Sequence, residues 1–390
     1  MNKKLLTAAI GAALAAGPML AQADVKLYGK MHVSVDYVDG QGAGNTAALS
    51  SNARKQTHVS SNASRWGIDV SEKLGGGLTA IGKLETEIDA TNDGTNDFAS
   101  RNRYVGLSGK FGTIIGGVMD TPFKDTGRAV EFFPEYVGDA RNLTRHNFAV
   151  TNPSGITVAG TSVGWDERPR NSIRYTTPSF NGFAASYLYS AAAAGVNSIE
   201  DNRTKMTSLG LSYLKGPLFV GLAHENHQTP NAAPTSTGES ATSEKGTRLA
   251  ASYNFGAFKL GGMWQRLQDI GGVNSESAAS VRPNSVKRTT WGLGGAYTAG
   301  NNVFKMQYYR AGNLSNDVSG GSLSDYGATM WALGWDHLFS KTAKAYVAYA
   351  KTDNAPNAAF SVNSGGHGDS ITTLYGKDPS AWSVGMILDF

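Results

Sequence analysis

Apolar and polar residues alternate along most of this chain with a period of two, the spacing of half-covered strands rather than of helices. In the stretch 25–38, Leu27, Met31, Val33, Val35 and Tyr37 share one face, and Lys26, Tyr28, Lys30, His32, Ser34 and Asp36 the other. The stretch 59–70 gathers Trp66, Ile68 and Val70 against Arg65 and Asp69, and 78–88 sets Leu84 and Ile88 against Lys83, Glu85 and Glu87. The pattern returns at Leu209, Leu211 and Tyr213, and at Leu249, Ala251, Tyr253 and Phe255. It recurs at Trp291, Leu293, Gly295 and Tyr297, and at Phe304, Met306 and Tyr308. In the last nine residues, Trp382, Val384, Met386, Leu388 and Phe390 form an apolar face against Ser383, Gly385 and Asp389.

Lysine and aspartate opposite each apolar face imply a wet interior, with the apolar side meeting lipid. A free edge strand as apolar as the last one aggregates in water. Closure removes the problem: the last strand pairs with the first, and every backbone group is satisfied inside the bilayer. That pairing brings the Phe390 carboxylate towards Asp24, where a salt bridge across the seam is expected.

Seven short connections lie near 72–77, 109–112, 178–182, 215–217, 255–258, 298–302 and 339–342. Eight long polar ones lie near 39–57, 91–98, 120–167, 191–204, 227–246, 268–287, 311–326 and 353–378. Short and long alternate and together separate sixteen strands, as in an all-β transmembrane antiparallel barrel with tight turns at one rim and long loops at the other. Phe111, Phe180, Phe183, Tyr213, Phe219, Phe255, Phe258 and Phe339 lie beside the short turns and predict an interfacial aromatic girdle, to which Phe390 also belongs.

Residues 1–23 read as a cleaved signal peptide: Lys3 and Lys4, an apolar run from Leu5 to Ala16, a break at Gly17-Pro18, and Ala21-Gln-Ala23 before the cut. Residues 24–390 form one barrel domain, and removing 23 of the 390 residues leaves 367. No later stretch has about twenty consecutive apolar residues, which excludes a helical membrane protein. Without Lys3 and Lys4, 33 basic residues face 31 acidic ones, which argues against a nucleic-acid partner. The chain has no Cys, hence no disulfide or thiolate metal site.

The connection 120–167 is far longer than its neighbours. It carries Glu131-Phe-Phe-Pro-Glu135-Tyr-Val-Gly-Asp139 and the further aromatic Phe123. A long connection with that many aromatics is expected to pack, and the reading is that it folds into the lumen and narrows it. The wall opposite is basic by strand parity: Lys30, Arg65, Arg101, Arg103, Arg170 and Arg174. Arg101 with Arg103, and Arg170 with Ser172 and Arg174, share faces by their spacing. Basic and acidic groups across a constriction set up a transverse field that governs ion preference.

The chain resembles the general diffusion porins of Gram-negative outer membranes, beta-proteobacterial type. The resemblance rests on Leu27-Tyr-Gly-Lys30, Ser64-Arg-Trp-Gly67 with Leu74-Gly-Gly-Gly-Leu78, and Arg101-Asn-Arg-Tyr-Val-Gly-Leu107. Asp120-Thr-Pro-Phe123, Pro134-Glu-Tyr-Val-Gly-Asp139, Arg170-Asn-Ser-Ile-Arg-Tyr175 and the final Phe390 complete it. It implies a homotrimeric sixteen-stranded barrel with an inward third loop, passing ions and small hydrophilic solutes passively, without cofactor. It also implies outer-membrane lipid and lipopolysaccharide as surroundings, and an assembly machinery that recognises Phe390. Lys30, Arg65, Arg101 and Arg170 match the wall positions, and Glu131, Glu135 and Asp139 the loop positions. Arg103 and Arg174 are added by parity. Val118 stands where relatives often carry Arg, which tempers the expectation to weak anion preference.

Catalytic and metal readings fare less well. His224-Glu-Asn-His227 lacks the helical two-His zinc spacing, and Asn92-Asp-Gly-Thr-Asn-Asp97 lacks the closing Glu of a calcium loop. No Ser sits in a strand-to-helix Gly-x-Ser-x-Gly elbow; the spelling Gly160-Thr-Ser-Val-Gly164 lies within the long polar connection 120–167. The alternatives are a substrate-selective channel, which would want an aromatic track through the lumen, and a barrel enzyme with a Ser or Asp beside a rim His.

Overall fold

The computed structural model describes residues 23–41, 55–91, 101–145, 150–151, 157–158, 165–191, 205–229, 242–268, 270, 286–315 and 324–390. The leader at 1–23, save Ala23, and the calcium-like stretch 92–97 lie outside them. The first strands are β1 (Asp24–Asp39), β2 (Gln56–Ser61), β3 (Arg65–Gly75), β4 (Leu78–Glu87), β5 (Arg103–Gly109) and β6 (Gly112–Val118). Two short helices follow, α1 (Pro122–Arg128) and α2 (Arg141–Thr144), then β7 (Val150–Thr151) and β8 (Thr157–Val158). Next come β9 (Ser172–Thr176), β10 (Phe183–Ser190), β11 (Lys205–Lys215), β12 (Leu218–Thr229), β13 (Thr242–Phe255) and β14 (Phe258–Gln268). The last are β15 (Lys287–Ala299), β16 (Asn302–Ala311), β17 (Ala328–Leu338), β18 (Ala343–Asn354) and β19 (Ser380–Asp389).

Each strand of the main sheet pairs antiparallel with its neighbours, and β1 pairs with β19, so the sheet closes. β2 and β3 both pair with β1 and share one place in the wall, while β7 and β8 form a separate two-residue ladder. The described residues therefore build a sixteen-stranded barrel. Its outward positions are apolar and open, as at Leu293, Met306 and Val384, whereas the intervening Gly294, Gln307 and Ser383 face in. The seven short turns fall where the sequence places them. At the β3–β4 turn Gly75, Gly76 and Gly77 all have positive φ, which glycine alone adopts without strain.

Gly29 and Phe390 exchange backbone hydrogen bonds of 2.8 and 3.0 Å, and the Phe390 ring covers Gly29 so closely that a Cβ there would sit 2.2 Å from it. Asp24 lies five residues further along β1, opposite Ser71, roughly 17 Å away at strand rise. The expected Asp24 salt bridge is therefore out of reach. Phe219 also departs from expectation: opposite the inward Ser252, it packs against the interior rather than joining the girdle.

Between β2 and β3, Asn62, Ala63 and Ser64 oppose only two residues of β1, a bulge with Ala63 at φ 49°. Asn62 donates to Ser34 Oγ at 2.8 Å, and Ser64 Oγ accepts from His32 N–H at 3.0 Å. The extra residue reverses parity. Val59 faces out before it; Trp66, Ile68 and Val70 face out after it, so Arg65 points inward beside its register partner Lys30.

The connection after β6 lies inside the barrel. Phe132, Phe133, Tyr136 and Val137 pack on Ala332, Ala348, Ala350 and Tyr346 of the wall. The wall accepts these rings because its inward positions are small: a Cβ at Gly294 or Gly334 would strike Phe132 or Phe133 within 2.7 Å.

Candidate functional site

Helix α1 begins where the sequence provides a cap: Thr121 Oγ1 accepts from Lys124 N–H at 3.2 Å and Pro122 takes the first helical position. The turn brings Asp120 to Lys124 at 2.8 Å, with Arg168 at 2.9 Å and Arg128 at 3.9 Å. Burial opposes ionisation of Asp120, but Lys124, Arg168 and Arg128 outweigh it and hold the carboxyl far below its usual range. Burial, partly offset by Asp120, brings Lys124 down to about 8.

Past α1 the chain turns sharply at Glu135, whose φ is 69°. Its N–H donates to Asp139 at 2.7 Å, and its carboxylate meets Arg65 at 2.9 Å, Lys30 at 3.2 Å and Arg128 at 3.4 Å. Burial works against the charge, yet Arg65, Lys30 and Arg128 keep Glu135 well below the ordinary carboxylate range. Asp139 is fully buried and paired with Arg141 at 2.7 Å. Glu131 reaches only the edge of Arg141, at 3.9 Å, and its Oε2 has no partner among the described residues. Burial and the neighbouring Asp139 push Glu131 up to about 7.

The structure thus differs from two charged rows facing each other across open water. Glu135 is clasped by the wall cations, and Glu131 and Asp139 are buried within the loop, because charges this far from water need close partners. Arg101 faces Glu85 at 2.6 Å and Glu87 at 2.9 Å and is itself buried. Arg174 points inward and holds Asp125 at 2.7 Å and the Asp120 carbonyl at 3.0 Å.

Of the expected wall residues, Arg103 is placed elsewhere and Arg170 lies outside any strand. A local irregularity, in which Glu85 bonds the backbones of both Arg101 and Asn102, turns Arg103 to the other face. There it opposes Leu84 and Val118 on the outward side, in line with Val105 and Leu107. Arg170 precedes β9, is exposed, and is separated from Ser172 by Asn171 at φ 50°, so its strand parity does not apply.

Strand parity did not identify Arg128, Arg168 or Arg141, and it placed Glu85 on the polar face without revealing Arg101 as its partner. The spacing of Asp120, Lys124 and Arg128 by four after Thr121-Pro122 carried the signal for the first of these. The connection 355–379 was also missed as an interior element. Its Val362 carbonyl accepts from Gly138 N–H at 2.7 Å and Asn142 Nδ2 at 2.9 Å, and Ser364 N–H donates to Asn142 at 2.8 Å. His367 bridges Asp36 at 2.7 Å and the Glu135 carbonyl at 3.1 Å. This segment therefore pins the acidic loop from above.

His227 is buried between Glu225 at 2.9 Å and Glu244 at 3.5 Å, stacked on Trp165, while His224 lies on the outward face beside Thr247. Among the described residues no cluster has the make-up of a metal site.

The profile of the Gram-negative porin family matches residues 6–357. Outer membrane porin protein 32 of Delftia acidovorans is 28% identical over 367 residues, 91% of each chain. An outer membrane porin protein of Bordetella pertussis is 27% identical over 390 residues, covering 90% of this chain and 94% of that one. Among solved structures, the anion-selective porin from Comamonas acidovorans superposes with a TM-score of 0.71 at 24% identity, over 95% of this chain and all of that one. The trimer form of OmpT from Vibrio cholerae gives 0.62 at 14% identity, over 94% and 99%.

Proposed function

The chain belongs to the Gram-negative porin family, an outer-membrane channel for passive diffusion, and we propose that its pore prefers anions weakly. The carrying observation is the clasp on Glu135: one buried carboxylate is surrounded by Lys30, Arg65 and Arg128, which keep 17–27% of their side-chain surface open while Glu135 keeps 2%. Arg168 and Arg174 add partly open cations on the same side. Glu87 and Asp125, both more open than these, limit the excess and make the preference weak. The similar Comamonas protein is described as anion-selective, which supports the same sign.

In this reading Lys30, Arg65, Arg128, Arg168 and Arg174 are the field-setting cations. Arg101 acts as the partner that neutralises Glu85. Glu131, Glu135 and Asp139 shape the loop, and Glu135 alone trims the field directly. Reversal potentials in planar bilayers under a KCl gradient test it: an anion-favouring sign is expected, and clear cation preference overturns it.

The second proposal is a homotrimer, joined through the outward face of β1–β6. That face carries Arg103 among Leu84, Val105, Val118, Gly82 and Gly116. A guanidinium on a lipid face is costly, whereas protein can cover it, and glycines allow close approach. Conductance steps in groups of three are expected, and Arg103→Glu should lower the temperature at which SDS-resistant trimers dissociate. A leader cleaved after Ala23 and recognition of Phe390 during assembly complete the proposal; amino-terminal sequencing of the mature protein tests the first.

A further inference from the structure

Two arginines inside the barrel are equally buried and differently partnered. Arg248 on β13 meets the Asp166 carboxylate, Gln265 and the Phe123 carbonyl. Arg288 on β15 is 2% exposed and has no ion pair among the described residues. Its Nη2 donates to the Tyr326 carbonyl at 3.1 Å and its plane lies 4.8 Å from the Phe360 ring. Nε and Nη1 have no partner among the described residues. Leu267 faces it across the ladder, and Val286 and Leu314 extend the apolar surroundings.

A guanidinium cannot shed its proton to escape such a place, so its charge and its two free donors demand compensation. The Tyr326 carbonyl occupies the Nη2 side and repels an anion there. The Nε and Nη1 donors remain, with one unit of positive charge to balance. An apolar, enclosed setting favours a small, weakly hydrated, monovalent partner over a divalent one.

We propose that Arg288 is the centre of an anion-binding site inside the barrel, at the long-loop end of β15, taking a halide such as chloride. The site lies apart from the Glu135 clasp and does not depend on the sign of the pore's ion preference.

Bromide replaces chloride and is visible by anomalous scattering. Crystals of the wild-type protein grown in bromide should show a peak in hydrogen-bonding contact with Arg288 Nε or Nη1. In solution, exchanging gluconate for chloride at constant ionic strength should raise the unfolding midpoint by about 3 °C. Arg288→Met should abolish that dependence, and Arg288→Lys should retain part of it. A water molecule at the donors, with equal midpoints in both salts, overturns the proposal. Bromide density without a chloride-dependent midpoint marks binding at crystal concentration only and also overturns it. Should Arg288→Met fail to fold, the wild-type crystal and salt comparison decide.

Discussion

Lys30 and Arg65 face each other across the ladder between β1 and β3 and close on the same carboxylate, Glu135. Within this clasp a single carboxylate is shared by several bases, so the local charge balance responds to single substitutions.

Glu135→Gln removes the one acid in the clasp and should increase the anion-to-cation permeability ratio by about twofold or more. Arg65→Ser should move the ratio the other way by a similar factor. Arg101→Ser should also shift it towards cations and should lower stability, because Glu85 loses its 2.6 Å partner. Reversal potentials measure all three. Unchanged values in the Arg65 variant would detach that residue from the permeation path.

Glu131 gives a pH signature. Its carboxyl is raised from 4.5 to about 7 in the folded state, so the protonated form is the one the fold favours. The associated stability is fully present below about 4.5 and is lost as pH rises through about 7. Glu131→Gln removes the dependence. Relative to wild type it should gain about 1–3 kcal/mol at pH 8 and nearly nothing at pH 4. Paired unfolding curves at the two pH values check this; a constant difference would contradict it.

Asn142 holds the connection 355–379 to the acidic loop through Val362 and both donors of Ser364. Asn142→Ala releases Ser364 and leaves the buried Val362 carbonyl with Gly138 N–H alone, and should cost about 1–2 kcal/mol. It should also raise open-channel current noise, since the segment above Glu135 loses its anchor. Quiet single-channel traces from a destabilised variant would confine Asn142 to a stability role.

Phe390→Ala uncovers Gly29 and weakens the β1–β19 seam. Heat-modifiable, folded protein should fall severalfold, while reversal potentials of the pores that do form should match wild type. Altered selectivity with normal assembly would contradict this division between seam and clasp.

The barrel was legible because period two and the alternation of short and long connections are local properties, repeated until chance is excluded. Lys30, Arg65 and Arg174 were legible by the same parity. Arg103 was not, because Glu85 pairs with two successive residues and a one-residue irregularity inverts the face. The burial of Glu131 and Asp139 was illegible for another reason: Arg141 and the connection 355–379 reach them by contacts that no spacing rule encodes. The bulge at Asn62–Ser64 left the reading intact, since Arg65, Trp66, Ile68, Asp69 and Val70, the residues it assigned to faces, all lie beyond the bulge.

The small residues behind the acidic loop have a consequence for the aperture. Gly138 sits so close to Ala332 and Ala350 that a Cβ there would come within 2.8 Å of each. The loop's depth in the lumen is thus set by small residues on β15, β17 and β18, strands that carry none of the clasp cations. Enlarging Gly294, Gly334 or Ala332 would act as a shim, pushing the loop towards Lys30 and Arg65. Bore and charge are written on different strands, so one can drift through sequence change while the other is held.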